Sequence, residues 1–99
     1  MSRTFDQFLV YSGEKFVVYF HAQSGEVSEI NDYYKLCDDA TRASLLFLVK
    51  WISDIGYIYD ETRFRIEEKR HKIYCFKPRN ERFFCFFFTG KRIIIPDFA

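Results

Sequence analysis

The residues of this 99-residue chain that could do chemistry are two histidines and a C-terminal series of lysines and arginines. His71 lies within a Lys-Arg-His-Lys run at residues 69–72. An imidazole with a pKa of about 6.5 exchanges protons near neutral pH, and cations bind phosphate, so this run suits acid–base chemistry on a phosphodiester. The alternative to a catalytic role is that His71 is only an exposed residue of a turn. His21 is expected to be a packed or surface residue of a strand and not a catalytic residue.

Positive charge is concentrated in the last part of a chain whose formal net charge is only +1. Residues 61–99 contain ten lysines and arginines against five acidic residues, a local excess of +5. Such asymmetry indicates a nucleic-acid face, although a solvated strand face has the same composition. The acidic residues show no spacing for a metal ion or a carboxylate pair, and no phosphate loop or nucleophile motif occurs. We therefore expect neither a metal nor a cofactor.

Composition predicts a single domain over residues 1–99, because 48% hydrophobic and 21% aromatic residues are enough to build one core. Cys37, Cys75 and Cys85 form no CxxC pair, so neither a disulfide framework nor a zinc site is predicted. Charges interrupt every apolar run well before about 18 residues, and no signal peptide is recognisable. We expect a cytoplasmic protein without a membrane partner.

An α+β fold is predicted from the hydrophobic pattern. Residues 16–22 favour a strand, and a hairpin with residues 8–11 across Gly13 is an open option. Ser28 is expected to cap a short helix, and Asp38 and Asp39 to start a second helix that ends at Gly56. The N-terminal strand is thus followed by an αα-hairpin.

Beyond Gly56 the hydrophobic period changes to two, which predicts a C-terminal antiparallel meander packed against the helices. Strands are expected around Phe64 and at residues 73–76, 82–88 and 92–95. The strand at 82–88 is apolar on both sides, which predicts a central strand with both faces filled. Pro96 should end the last strand or leave it along an edge.

The stretch KIYCFKPRNERFFCFFFTGKRIII, which starts at Lys72, resembles the core of the RelE/HigB-like type II toxin superfamily, most of all its phage-derived branch. The shared features are a strand ending at Lys77, a polar turn, Arg82, an apolar strand, the Gly90 turn and an isoleucine run. The upstream helix ending FLVKWISDIG is similar as well. The family continues T-H-x-F-x-K-K where this chain reads P-D-F-A, so we expect the toxin domain to be short at its C-terminus.

The resemblance implies a RelE-like fold and a metal-independent endoribonuclease that cleaves translated mRNA, on the ribosome in many members. It also implies a cognate antitoxin, of helix-turn-helix type, that inhibits by direct binding. Arg82 and Lys77 match the family's basic residues at the scissile phosphate, and His71 is our candidate for proton transfer. The RNA-binding candidates are Arg79, Lys91, Arg92, Lys72, Arg70 and Phe98.

Two other classes of function fit the same residues. One is a catalytically degenerate RelE-like module of phage or mobile-element origin that binds only a protein, which the short C-terminus favours. The other is an unrelated α+β RNA-binding domain.

Overall fold

The computed structural model describes residues 6–22 and 28–96 of the chain. Six strands and two helices follow one another in the order that the hydrophobic pattern predicts. Their bounds are β1 Asp6–Ser12, β2 Val17–Ala22, α1 Glu29–Leu36, α2 Asp39–Ile55, β3 Phe64–Glu68, β4 Ile73–Phe76, β5 Phe83–Phe88 and β6 Arg92–Ile95. Neither helix is long and apolar enough to cross a membrane.

The strands form one mixed sheet in the order β1-β2-β6-β5-β4-β3. The β1–β2 hairpin and the antiparallel meander from β3 to β6 are both confirmed. The sheet is not purely antiparallel, however, because β6 runs parallel to β2. This pairing places β6 inside the sheet, so the strand ends before Pro96 but does not lie at an edge.

The helix ends form where the capping residues predicted them. The Ser28 hydroxyl accepts the backbone N–H of Asn31 at 3.2 Å, and the Asp38 carboxylate accepts that of Thr41 at 2.8 Å. Gly56 closes α2 with a left-handed φ of 112°, a conformation that glycine adopts without steric cost. The two helices are thus held as a hairpin with a tight acidic junction.

The hydrophobic core lies between the helices and one face of the sheet. The Tyr33 ring of α1 packs 5.5 Å from the Phe83 ring of β5, measured between centroids. The buried core members of the two helices and of alternate strand positions are Ile30, Leu45, Leu48, Val49, Ile52, Val18, Phe20, Phe64, Phe76, Phe83, Cys85, Ile93 and Ile95. Side chains at the intervening strand positions therefore point to the opposite side, which we call the open face.

The expectation that both faces of β5 are filled is wrong. Phe83 and Cys85 are fully buried against the core, whereas Phe84 and Phe88 on the open face are 42% and 44% exposed. The reason is that both helices pack on one side of the sheet. The strand is central, as predicted, but of its five aromatic side chains only Phe83 belongs to the core, and Phe87 on the same side is 37% exposed.

Replacing Gly13 with alanine should destabilise the fold, because the β1–β2 turn packs directly against the end of α2. A Cβ atom at Gly13 would lie 2.6 Å from the backbone carbon and from the Cβ of Ser53. Overpacking of this kind costs about 1–3 kcal/mol of unfolding free energy, measured by urea denaturation. Ser12→Ala, at the neighbouring exposed position, should stay within about 0.5 kcal/mol of wild type. A Gly13→Ala protein as stable as wild type would contradict this packing.

Candidate functional site

Lys77 and Arg82 are held opposite each other by the β4–β5 hairpin. Phe76 pairs with Phe83 in the last register pair of these strands, so the next residue on each strand stands at the base of the turn at 78–81. The backbone N–H of Lys77 donates to the Arg63 carbonyl at 2.8 Å, which fixes this end of β4. The hairpin therefore brings together the two cations that the sequence assigned to catalysis.

Both cations converge on one carboxylate, that of Glu67 on β3. The Oε2 atom of Glu67 lies 3.1 Å from Lys77 Nζ, 3.6 Å from Arg65 Nε and 3.9 Å from Arg82 Nη1. We call these four residues the Glu67 cluster. The Lys77 side chain is only 16% exposed and that of Arg82 is 58% exposed. Three cations around one acid leave an excess of positive charge that an anionic group can reach.

The charge state of the Glu67 cluster follows from its hydrogen bonds. The hydrogen bond from Lys77 holds the pKa of Glu67 below its ordinary value. Desolvation opposes this effect, and the charges of Lys77, Arg65 and Arg82 add to the lowering. Glu67 is therefore ionised at neutral pH. Because a lowered pKa makes a carboxylate a weak base, its first role in the free protein is to position the cations.

A buried thiol lies beside the Glu67 cluster. Cys75 pairs with Arg65 on one side and Phe84 on the other, and its side chain is fully buried. Burial raises the pKa of this thiol, and the negative charge of Glu67 raises it further. Cys75 is thus protonated at neutral pH and is not a nucleophile.

His71 lies away from Lys77 and Arg82. It occupies the β3–β4 turn, at the other end of β4, which at the usual rise spans roughly 13 Å. Its Nδ1 atom is 2.7 Å from Glu68 Oε1, and the Glu68 carboxylate also accepts the backbone N–H of His71 at 2.7 Å. The structure therefore does not bring together the three residues named for catalysis. His71 contributes hydrogen bonds to the β3–β4 turn, and the residue that lies beside the two cations is Glu67.

Most RNA-binding candidates surround the same end of the sheet as His71. Arg70 and Lys72 belong to the β3–β4 turn, while Lys91 and Arg92 follow the β5–β6 turn, which lies at that end too. The Arg92 guanidinium stacks 4.7 Å from the centroid of the Phe88 ring, and its Nε donates to the Thr89 carbonyl at 2.8 Å. A cavity of about 540 Å³ opens there, lined by Arg70, His71, Lys72, Ile73, Tyr74, Phe86 and Phe87.

Two candidates lie elsewhere. Arg79 is on the β4–β5 turn and approaches the helix hairpin: hydrogen bonds from Thr41 lower the pKa of Asp38, and the Arg79 charge contributes to the same effect. Phe98 lies outside the described residues. Among the residues that the structure describes, no group of three or more histidine, cysteine or acidic side chains could hold a metal ion.

Sequence reasoning missed two features of this surface. Glu67 was overlooked, although its alternation with Phe64 and Ile66 on β3 placed it on the same side as Arg65. The exposure of Phe84 and Phe88 left no signal in the sequence, since an apolar strand has the same pattern whether its second face is covered or open.

No protein-family model, curated protein or solved structure matches this chain. The resemblance to RelE/HigB-like toxins therefore stays a prediction.

The Glu67 carboxylate should stabilise the fold only while it is ionised. Its folded pKa is lowered, so its contribution is present above the unfolded value of about 4.3 and is lost as the pH falls through the lower folded value. The difference in unfolding free energy between wild type and Glu67→Gln should be constant from about pH 7 to pH 5 and then shrink.

A Lys77→Met background provides the control for this titration. Since the Lys77 hydrogen bond is the largest cause of the lowered pKa of Glu67, the same comparison in that background should give a smaller difference at neutral pH. A difference that is independent of pH in both backgrounds would show that Glu67 is not ion-paired with Lys77.

Proposed function

We propose that this chain is a toxin of a type II toxin–antitoxin system, a RelE/HigB-like endoribonuclease that cleaves translated mRNA in the cytoplasm without a metal ion. Its partners would be a helix-turn-helix antitoxin and the ribosome. One observation supports the proposal most: the two residues that the resemblance assigns to the scissile phosphate, Lys77 and Arg82, lie 3.1 and 3.9 Å from the same oxygen of Glu67. A phosphate group, which is also an anion, could replace that carboxylate as the partner of the two cations.

The chemistry proposed is attack of a ribose 2′-hydroxyl on the adjacent phosphate, which forms a 2′,3′-cyclic phosphate and breaks the bond to the 5′-oxygen of the next nucleotide. That oxygen leaves as a hydroxyl after it takes a proton from solvent. Negative charge grows on the phosphate oxygens in the transition state, and preorganised lysine and arginine groups stabilise it as it develops. The exposed Arg82 would contact the phosphate first, and the largely buried Lys77 would bind it at the floor of the site.

Glu67 takes the role of proton acceptor in this proposal. In the free protein the Lys77 hydrogen bond lowers its pKa. When a phosphate binds Lys77, the carboxylate loses that hydrogen bond and gains a negative neighbour, and both changes raise its pKa. Phosphate binding thus makes Glu67 a stronger base at the moment when the 2′-hydroxyl has to be deprotonated.

Removal of either cation should abolish toxicity. Lys77→Ala and Arg82→Ala should each lower the rate of RNA cleavage by about 10²–10³-fold, the usual effect of removing one group that stabilises transition-state charge. Expression of wild type should arrest bacterial growth and expression of either variant should not. Lys35→Ala, which removes an exposed cation of α1, is the matched control and should leave both readouts unchanged.

A second candidate function, a protein-binding module without catalysis, is favoured by the outer side of α2. Leu46, Phe47 and Ile55 are exposed there, with Phe47 at 53%. A broad apolar groove of about 700 Å³ runs along them, completed by Ala43, Lys50, Trp51 and Asp54. Should wild type neither slow growth nor cleave RNA, whether free or on ribosomes, the nuclease proposal fails and this second function replaces it.

A further inference from the structure

Three phenylalanines form a row along β5 on the open face: Phe84, Phe86 and Phe88. They alternate with Phe83 and Cys85, which are buried in the core. Phe84 and Phe88 are 42% and 44% exposed although they lie on a central strand. Exposed apolar side chains in a contiguous row are typical of binding surfaces.

Cationic groups stand at both ends of this phenylalanine row. At one end, Phe84 pairs with Cys75, the residue beside the Glu67 cluster. At the other end, Phe88 pairs with Arg92, whose guanidinium lies 4.7 Å from the ring centroid. The row between them is roughly 13 Å long at the usual strand rise. A ligand that fills it has to offer flat apolar groups and negative charge along one chain.

The spacing of the rings suits successive flat groups. The Phe86 and Phe88 rings are 6.2 Å apart between centroids and stand edge to face instead of stacking on each other. Beside them lies a cavity of about 230 Å³ lined by His21, Phe86, Phe88, Ile94 and Pro96. Sheet-face aromatics that stack unpaired bases are a recurrent solution for binding single-stranded RNA.

We propose that Phe84, Phe86 and Phe88 are a stacking platform for unpaired bases of single-stranded RNA, with the Glu67 cluster at one end and Arg92 at the other. The inference rests on the proposed function and names its substrate class: a single-stranded segment, not a duplex. An apolar protein segment would gain nothing from the cations at the two ends, which is why RNA is the occupant that the surface favours.

Fluorescence anisotropy with a labelled single-stranded RNA, 2′-O-methylated so that it cannot be cleaved, tests the platform. Phe84→Ala and Phe88→Ala should each weaken binding by about 5- to 150-fold, the range for loss of one stacked base. Phe84→Tyr keeps the ring and should bind as wild type does. Phe47→Ala is the matched control, since Phe47 is an exposed phenylalanine on α2, and it should not change the affinity.

An oligonucleotide of the same length with abasic sites separates stacking from general contact. Wild type should bind the abasic oligonucleotide as weakly as the alanine variants bind intact RNA. The affinity of the alanine variants should be no lower for the abasic oligonucleotide than for intact RNA. Equal losses of the alanine variants on intact and abasic RNA would overturn the platform, as would variants with wild-type affinity that still cleave. If wild type binds no RNA at all, both the platform and the proposed function fail, and the row belongs to a protein partner.

Discussion

Both helices pack against the same face of the sheet, and this one-sided packing decides what each strand presents to solvent. Every strand has to alternate between a side chain that fills the core and one that does not. The core takes Phe83 and Cys85 from β5, so Phe84 and Phe88, which lie at the alternate positions of the strand, face outward. Within the described residues, no helix covers the second face of the six-stranded sheet, which thus offers a broad, rigid surface on which side chains from distant parts of the sequence hold fixed positions.

Charge on that surface is organised by a single acid. Arg65, Lys77 and Arg82 come from three strand ends, and their mutual repulsion would separate them if Glu67 did not lie between them. The carboxylate therefore preorganises the cations before any anion arrives. Under the proposed function, an incoming phosphate would exchange one anionic partner for another instead of ordering mobile side chains, and preorganisation of this kind lowers the free-energy cost of binding.

Local signals predicted most of the fold, whereas long-range pairing decided the parts that were not predicted. Ser28, Asp38 and Gly56 act through hydrogen bonds within a few residues, so capping chemistry located both helices. The parallel β2–β6 pair joins segments more than 70 residues apart, and no local pattern encodes it. The same limit applies to the candidate site. Lys77 and Arg82, which the resemblance assigned, lie together because one short hairpin joins them. His71 was chosen for its imidazole within a basic run, and strand direction carries it to the other end of β4.

Backbone strain at the turns is consistent with a role for their positive charge. Within residues 6–22 and 28–96, the non-glycine residues with a left-handed φ are Lys72, Arg79 and Lys91, all of them cations. This conformation costs roughly 1–2 kcal/mol for an ordinary L-residue, and glycine or asparagine adopts it more readily. Lys72 and Lys91 both lie at the end of the sheet where Arg92 stacks on Phe88. Folding alone would favour glycine or asparagine at these positions, and under the proposed function the positive charge of the two lysines would serve an anionic ligand at that end.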